Sequence, residues 1–104
     1  MKKLILATAV ICMGFASITE PVTNFNGVYY GQQGNRVVTL GWNTQYVGSP
    51  YTIKRNGTVI ANGYNQQVNI RTFEVESNFK RATFSISQTV NGTTSQEVFT
   101  TVSK

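Results

Sequence analysis

Two carboxylates that stand two positions apart are the one arrangement in this 104-residue chain that suggests acid–base chemistry. Glu74 and Glu76 would share one face of an extended strand, because side chains alternate sides along a strand. A pair at this spacing suits the two carboxylates of a glycosidase. An exposed strand offers no cleft around such a pair, so the sequence favours two solvated residues that discourage unwanted pairing at a sheet edge.

The other side chains that commonly carry out reactions are missing from most of the chain. After residue 16 there is no His, no Asp and no Cys. These are the most frequent general bases, the thiol nucleophile and nearly all the usual transition-metal ligands. We therefore predict a protein that is not an enzyme, with no cofactor and no metal site.

Aromatic and turn residues are then the candidates for a binding surface. Tyr29 and Tyr30 are neighbours, so one of them must face outward from a strand, and Tyr46 and Tyr64 are expected in loops. An exposed ring there would stack on a sugar or pack against a protein, although packing within the domain is the simpler role. The predicted binding surface comprises Tyr29, Tyr46, Tyr64, Asn56, Gly57 and Phe99.

Basic residues do not indicate a polyanion site. Seven Lys and Arg face four Glu after residue 16, a net charge of +3. The pairs Lys54-Arg55 and Lys80-Arg81 lie in or beside strands, where neighbours point to opposite faces. We expect no nucleic-acid binding.

The first residues resemble a bacterial or phage-encoded export signal. Lys2 and Lys3 precede an apolar run, Leu4 to Phe15, and Gly14 and Ala16 are small residues at the positions that a signal peptidase reads. We predict cleavage after Ala16, which gives a signal peptide of residues 1–16 and a single domain of residues 17–104. Membrane contact would be limited to the transient signal, and the mature protein would be secreted, periplasmic or extracellular.

The remaining composition predicts strands and turns without helix. Ten Asn and seven Gln accompany many Thr, Val, Tyr and Phe. Asn56-Gly57 and Asn91-Gly92 fit two-residue hairpins, because this dipeptide tolerates the two positive φ angles of a type I′ turn. Seven strands are predicted: Pro21–Tyr30, Arg36–Asn43, Tyr51–Arg55, Thr58–Ala61, Gln66–Glu76, Arg81–Val90 and Ser95–Val102. A looser segment is expected at residues 62–65.

Period-two patterns predict which residues form the core. Val38, Leu40 and Trp42 share one face of the second strand. Ala82, Phe84 and Ile86, with Val90 as a further candidate, share one face of the sixth, while Thr83, Ser85 and Ser87 should face water. The fifth strand has a phase conflict: Val68 and Ile70 have one parity, whereas Phe73 and Val75 have the other. A bulge or turn near Arg71-Thr72 would reconcile them. Phe99 is out of phase with Val98 and Val102, so either Phe99 is an exposed aromatic or the register of this strand is shifted by one residue.

These features predict an all-β fold, a seven-stranded antiparallel sandwich of two sheets. The segments VTLGW (38–42), YTIKRNGTVIA (51–61) and ATFSISQTVNGTTSQ (82–96) resemble the B strand, the C to C′ hairpin and the F to G region of bacterial fibronectin type III domains, or of immunoglobulin-like domains more generally. The chain departs from that pattern at Ala82, where a corner tyrosine is usual, and at residues 77–80, which lack a Pro-Gly step.

Such a domain implies a role in recognition, or as a spacer between other domains, and not in catalysis. The expected function is an exported binding or structural module that contacts another protein through a sheet edge or loops, with oligomers allowed. Two alternatives are a small secreted inhibitor or exclusion factor, which would insert residues 43–50 or the Asn56-Gly57 tip into an envelope enzyme or receptor, and a carbohydrate-binding module that recognises a surface polysaccharide.

Overall fold

The computed structural model describes residues 18–104, which form strands and connections without a helix. The predicted signal peptide and its cleavage after Ala16 lie outside these residues. The strands are β1 (Thr23–Gln32), β2 (Asn35–Asn43), β3 (Pro50–Arg55), β4 (Thr58–Tyr64), β5 (Asn69–Glu74), β6 (Arg81–Val90), β7 (Thr93–Thr94) and β8 (Val98–Ser103). No helix capable of crossing a membrane occurs in this part of the chain.

Two antiparallel sheets form the fold, as the sequence predicted. One has three strands in the order β1-β2-β5, and the other has five, in the order β4-β3-β6 with β7 and β8 both paired to β6. The strand count is eight where seven were predicted, because the two-residue strand β7 was not predicted, and the last strand begins at Val98 where Ser95 was expected. Ser95 turns inward there: its backbone N–H donates to the Gln88 carbonyl and its hydroxyl accepts the Gln88 N–H at 3.1 Å.

One apolar cluster fills the space between the sheets. Trp42 packs edge-on against Tyr51, with ring centroids 4.9 Å apart, and Phe25 contacts Trp42 in the same manner. The predicted core positions of the second and sixth strands are buried except for Val90, which is half-buried. Ser85 was expected to face water but is buried, because Glu97 covers it and accepts its hydroxyl hydrogen bond at 2.8 Å. The buried cluster comprises Val22, Phe25, Val38, Leu40, Trp42, Tyr51, Ile53, Phe79, Ala82, Phe84, Ile86 and Val102.

Both Asn-Gly pairs form the predicted hairpin turns. Asn56 and Gly57 have φ angles of 48° and 87°, and Asn91 and Gly92 have 51° and 81°. Positive φ at both central residues is the type I′ geometry, whose twist matches that of the flanking strands. The turns join β3 to β4 and β6 to β7.

Two sequence predictions were wrong in local detail. β4 continues to Tyr64, where a looser segment was expected, and no bulge lies near Arg71-Thr72, because β5 pairs with β2 in unbroken register. The phase conflict is resolved by exposure: Val68 and Ile70 face solvent, whereas Phe73 and Val75 pack on the core. The prediction had assumed that all four apolar residues are buried, but exposed apolar side chains are common on folded proteins.

Candidate interaction edge

Strand β4 is an edge strand of the five-stranded sheet. The three-stranded sheet ends at β5, whose Arg71 Nη1 donates a 2.6 Å hydrogen bond to Tyr51 Oη in β3. β4 is one strand further out in the other sheet. None of its seven residues is buried, so this strand adds no fully enclosed side chain to the core.

Small residues line the inward side of β4 and explain its close fit to β3. A Cβ added at Gly63 would lie 2.5 Å from Tyr51 Oη, so glycine at this position makes room for the hydroxyl that Arg71 binds. Ala61 is half-buried and packs at the margin of the core. β4 therefore relies on its hairpin partner and on these few inward contacts.

The exposed side chains of β4 are uncharged, and three of them are apolar. Val59 is 50% exposed, Ile60 37% and Tyr64 67%, and the strand sequence TVIANGY contains no Lys, Arg or Glu and no Pro. Proteins commonly protect edge strands with charges, prolines or bulges, because an unprotected edge pairs with other chains. β4 has a register shift against Ile53 and Lys54, which places one extra residue near Ile60. Its second half, Ala61–Tyr64, pairs regularly with β3.

The phase of the ladder determines which backbone groups of β4 point outward. The Asn56 N–H donates to the Thr83 carbonyl at 2.7 Å, so even-numbered residues of β3 bond to β6 and odd-numbered residues bond to β4. The β4 residues opposite those odd positions are Thr58, Ala61 and Gly63. The N–H and C=O groups of Val59, Asn62 and Tyr64 consequently point away from β3.

The other sheet edges are covered or charged. β1 and β8 lie side by side: a Cβ added at Gly27 would come within 2.7 Å of Val102 Cγ2, and Val102 is buried. β5 carries Arg71 and Glu74 among its six residues. Among the strands of residues 18–104 that are longer than two residues, β4 is thus the edge with neither a covering strand nor a charged side chain.

Ion pairs flank β4 without entering it. Lys54 Nζ lies 3.6 Å from Glu97 Oε2, and Arg55 makes a two-pronged contact with Glu76, at 2.9 and 2.6 Å. The hydrogen bonds from Arg55 hold the pKa of the exposed Glu76 carboxyl below its ordinary value and raise the pKa of Arg55. Glu74 is also exposed, so the two carboxylates that suggested acid–base chemistry both lie in solvent.

The predicted binding residues divide between β4 and distant places. Tyr64 is in β4, and Asn56 and Gly57 form the exposed tip of its hairpin. Phe99 is 63% exposed on β8, at the opposite edge of the same sheet. Sequence reasoning missed Val59 and Asn62. The signal that could have identified them is an uncharged strand directly after a predicted hairpin turn.

The other two tyrosines of the predicted binding surface, Tyr29 and Tyr46, are half-buried. Tyr29 is half-buried and stacks on Phe79 with centroids 5.3 Å apart, so its neighbour Tyr30, at 56% exposure, is the residue of the pair that faces out. Tyr46 is half-buried, and its hydroxyl accepts the Glu20 N–H at 3.2 Å.

The loop proposed for insertion into a target is held by buried polar groups. Asn65 and Gln88 are each 1% exposed, and Asn65 Oδ1 accepts the Trp42 indole N–H at 2.9 Å. The Asn65 side-chain amide donates to both Ser49 and Gln88, and the Asn65 carbonyl accepts the Gly48 N–H. Fully satisfied buried networks of this kind rigidify the segments they join.

Comparisons with protein-family models, with curated proteins and with solved structures found no match to this chain.

Proposed function

We propose that this chain is an exported fibronectin type III-like domain without a catalytic role, which contacts another protein by strand pairing along β4. The single observation that carries this function is an edge strand with outward-pointing backbone groups, exposed apolar side chains and no charge. Strand addition gains affinity from main-chain hydrogen bonds, and it requires an accessible edge of this kind.

The strand order supports the fibronectin type III assignment. In constant-type immunoglobulin domains the fourth strand joins the sheet of the first and second strands. Here the fourth strand pairs with the third, on the opposite sheet. This is the arrangement that the resemblance to fibronectin type III domains implies, and Ala82, which replaces the corner tyrosine, is accommodated as a buried core residue.

Export is proposed on the sequence of residues 1–16. The order of positive start, apolar middle and small-residue end is typical of a signal peptide. The mature domain would then meet its partner in the periplasm or outside the cell.

Site-specific photocross-linking tests the proposed contact. A benzophenone amino acid would replace Tyr64 and, in a matched control, Phe99, which is a similarly exposed aromatic on the other edge of the same sheet. In cells that export the protein, we expect a discrete adduct from position 64 that Asn62→Pro abolishes and Asn62→Ala retains. Both substitutions remove the Asn62 side chain, but only proline removes the outward N–H. Equal adducts from both positions, or an adduct indifferent to Asn62→Pro, would contradict the proposal.

A further inference from the structure

We infer that the strand which pairs with β4 is the β4 of a second copy of this chain, in an antiparallel arrangement about a two-fold axis. This inference rests on the proposed function, because it names the partner of the same edge. The resulting dimer would join the two β4-containing sheets side by side into one continuous sheet.

Charge allows a second copy to pair at this edge. Residues 17–104 carry a net charge of +3, so two copies repel each other over most of their surfaces. β4 has no charged side chain, and the nearest cation of its partner strand, Lys54, is offset by Glu97 at 3.6 Å. Two β4 strands can therefore meet without placing like charges opposite each other, which would destabilise a strand pair.

The lining of three surface cavities is consistent with self-pairing. Binding of a foreign extended peptide usually takes its selectivity from pockets for alternate side chains. Cavities of about 430, 300 and 210 Å³ are among those in the surface of residues 18–104, and none of these three is lined by a β4 residue. An edge that is recognised mainly through its backbone hydrogen bonds suits a second copy, because the two-fold symmetry fixes the register of the pair.

Symmetry would also limit the assembly to two copies. A two-fold contact uses the same patch on both partners, so pairing β4 with β4 occupies the edge completely. Further growth of this sheet would need its other edge, where β8 lies against β1 and buries Val102 and β7 has only two residues.

The regular part of the edge sets the position of the axis. Asn62 and Tyr64 both direct their backbone groups outward, so an axis near Gly63 would place Asn62 of one copy opposite Tyr64 of the other. The register shift near Ile60 shortens the regular ladder. We expect a weak dimer, with a dissociation constant on the order of 100 µM, because small interfaces support only transient association.

Analytical ultracentrifugation of the exported chain, from about 10 µM to about 1 mM, tests the inference. The weight-average mass of the native chain should rise from one copy towards two. Asn62→Ala should behave like the native chain, whereas Asn62→Pro should bind itself at least about tenfold more weakly, since each dimer loses two N–H donors. Circular dichroism and thermal unfolding confirm that each variant folds.

A second pair of variants keeps the inference testable if proline disturbs the strand. Val59→Lys adds a charge to the β4 edge of both copies and should weaken the dimer, whereas Phe99→Lys adds the same charge at the β8 edge and should not. Dimerisation that survives both Val59→Lys and Asn62→Pro would overturn the assignment to β4.

Comparison with the cross-linking experiment separates this inference from the proposed function. A native chain that stays monomeric up to about 1 mM, while position 64 forms a proline-sensitive adduct with a different protein, would overturn self-pairing and leave the proposed function standing. A monomer without any such adduct would overturn both. An adduct of twice the chain's mass, together with concentration-dependent dimerisation, supports both.

Discussion

The two edges of the larger sheet, β4 and β8, have similar sequences in one respect and opposite roles in another. TVIANGY and VFTTVS both lack charged residues. β8 nevertheless contributes Val102 to the core, beneath Gly27 of β1, whereas none of the seven residues of β4 is buried.

This difference shows which apolar residues the fold itself requires. Val102 is explained by packing, because it fills space between the sheets. Val59, Ile60 and Tyr64 are exposed, and their side chains contribute little to the stability of a single copy. An uncharged, exposed edge is a hazard for aggregation unless it has a partner, so β4 is the region where a function accounts for the sequence better than folding does.

The largest expected effect is a difference in stability between two aspartate substitutions, one in β8 and one in β4. Val102→Asp buries an unpaired carboxylate and should reduce the free energy of unfolding by at least about 3 kcal/mol. Val59→Asp should change it by no more than about 0.5 kcal/mol, because position 59 is exposed. Urea denaturation at low protein concentration measures both; similar losses at the two positions would show that β4 is part of the core after all.

A smaller effect is expected from the contact that covers β8. In Gly27→Ala the new methyl group would lie 2.6 Å from Leu40 Cδ2 and 2.7 Å from Val102 Cγ2, so overpacking should cost about 1–3 kcal/mol. Gly41→Ala in the adjacent strand is the matched control, since the nearest atom there is the Asn69 carbonyl oxygen at an ordinary 3.6 Å. A control variant as destabilised as Gly27→Ala would argue against close packing between β1 and β8.

The smallest effect concerns the ion pair next to the β4 hairpin. The pKa of Glu76 is lowered in the folded protein, so its stabilising contribution is present above the unfolded pKa, about 4.3, and is lost as pH falls through the folded value. Urea denaturation across a series of pH values tests this contribution. The Glu76→Gln variant should have a slightly lower urea midpoint than the native chain at pH 7, and the same midpoint as the native chain at the acid end of the series.

Glu74→Gln provides the control for that series, because Glu74 makes no ion pair with the described residues. Its midpoint should follow the native value at both ends of the pH range. A Glu76→Gln difference that persists at low pH would contradict the role assigned to the Arg55–Glu76 pair.

Much of the fold was predictable because local chemistry and burial agree. Asn56-Gly57 and Asn91-Gly92 adopt the turn that their backbone preferences require, and the alternating triplet Val38, Leu40 and Trp42 is buried. The break before β8 was not predictable, because it depends on Ser95 reaching Gln88 across a hairpin, a contact that no periodic pattern encodes.

Sequence reasoning identified only part of the candidate edge. Tyr64 and the Asn56-Gly57 tip were identified, but β4 was ended at Ala61, because Asn62 and Gly63 are typical of turns. Gly63 belongs in the strand for a tertiary reason, its contact with the Tyr51 hydroxyl. That β4 is an edge strand follows from the strand order of the sheet, which the sequence of one strand does not specify.

Amide hydrogen exchange followed by NMR at two protein concentrations tests the central claim most directly. The Asn62 and Tyr64 amides should exchange quickly in dilute solution and slow down as concentration rises, while the Phe99 and Thr101 amides, on the other edge, should not respond to concentration. An Asn62 amide that exchanges at the same rate at both concentrations would contradict strand pairing between two copies at β4, and one already protected in the dilute monomer would contradict the outward orientation of that edge.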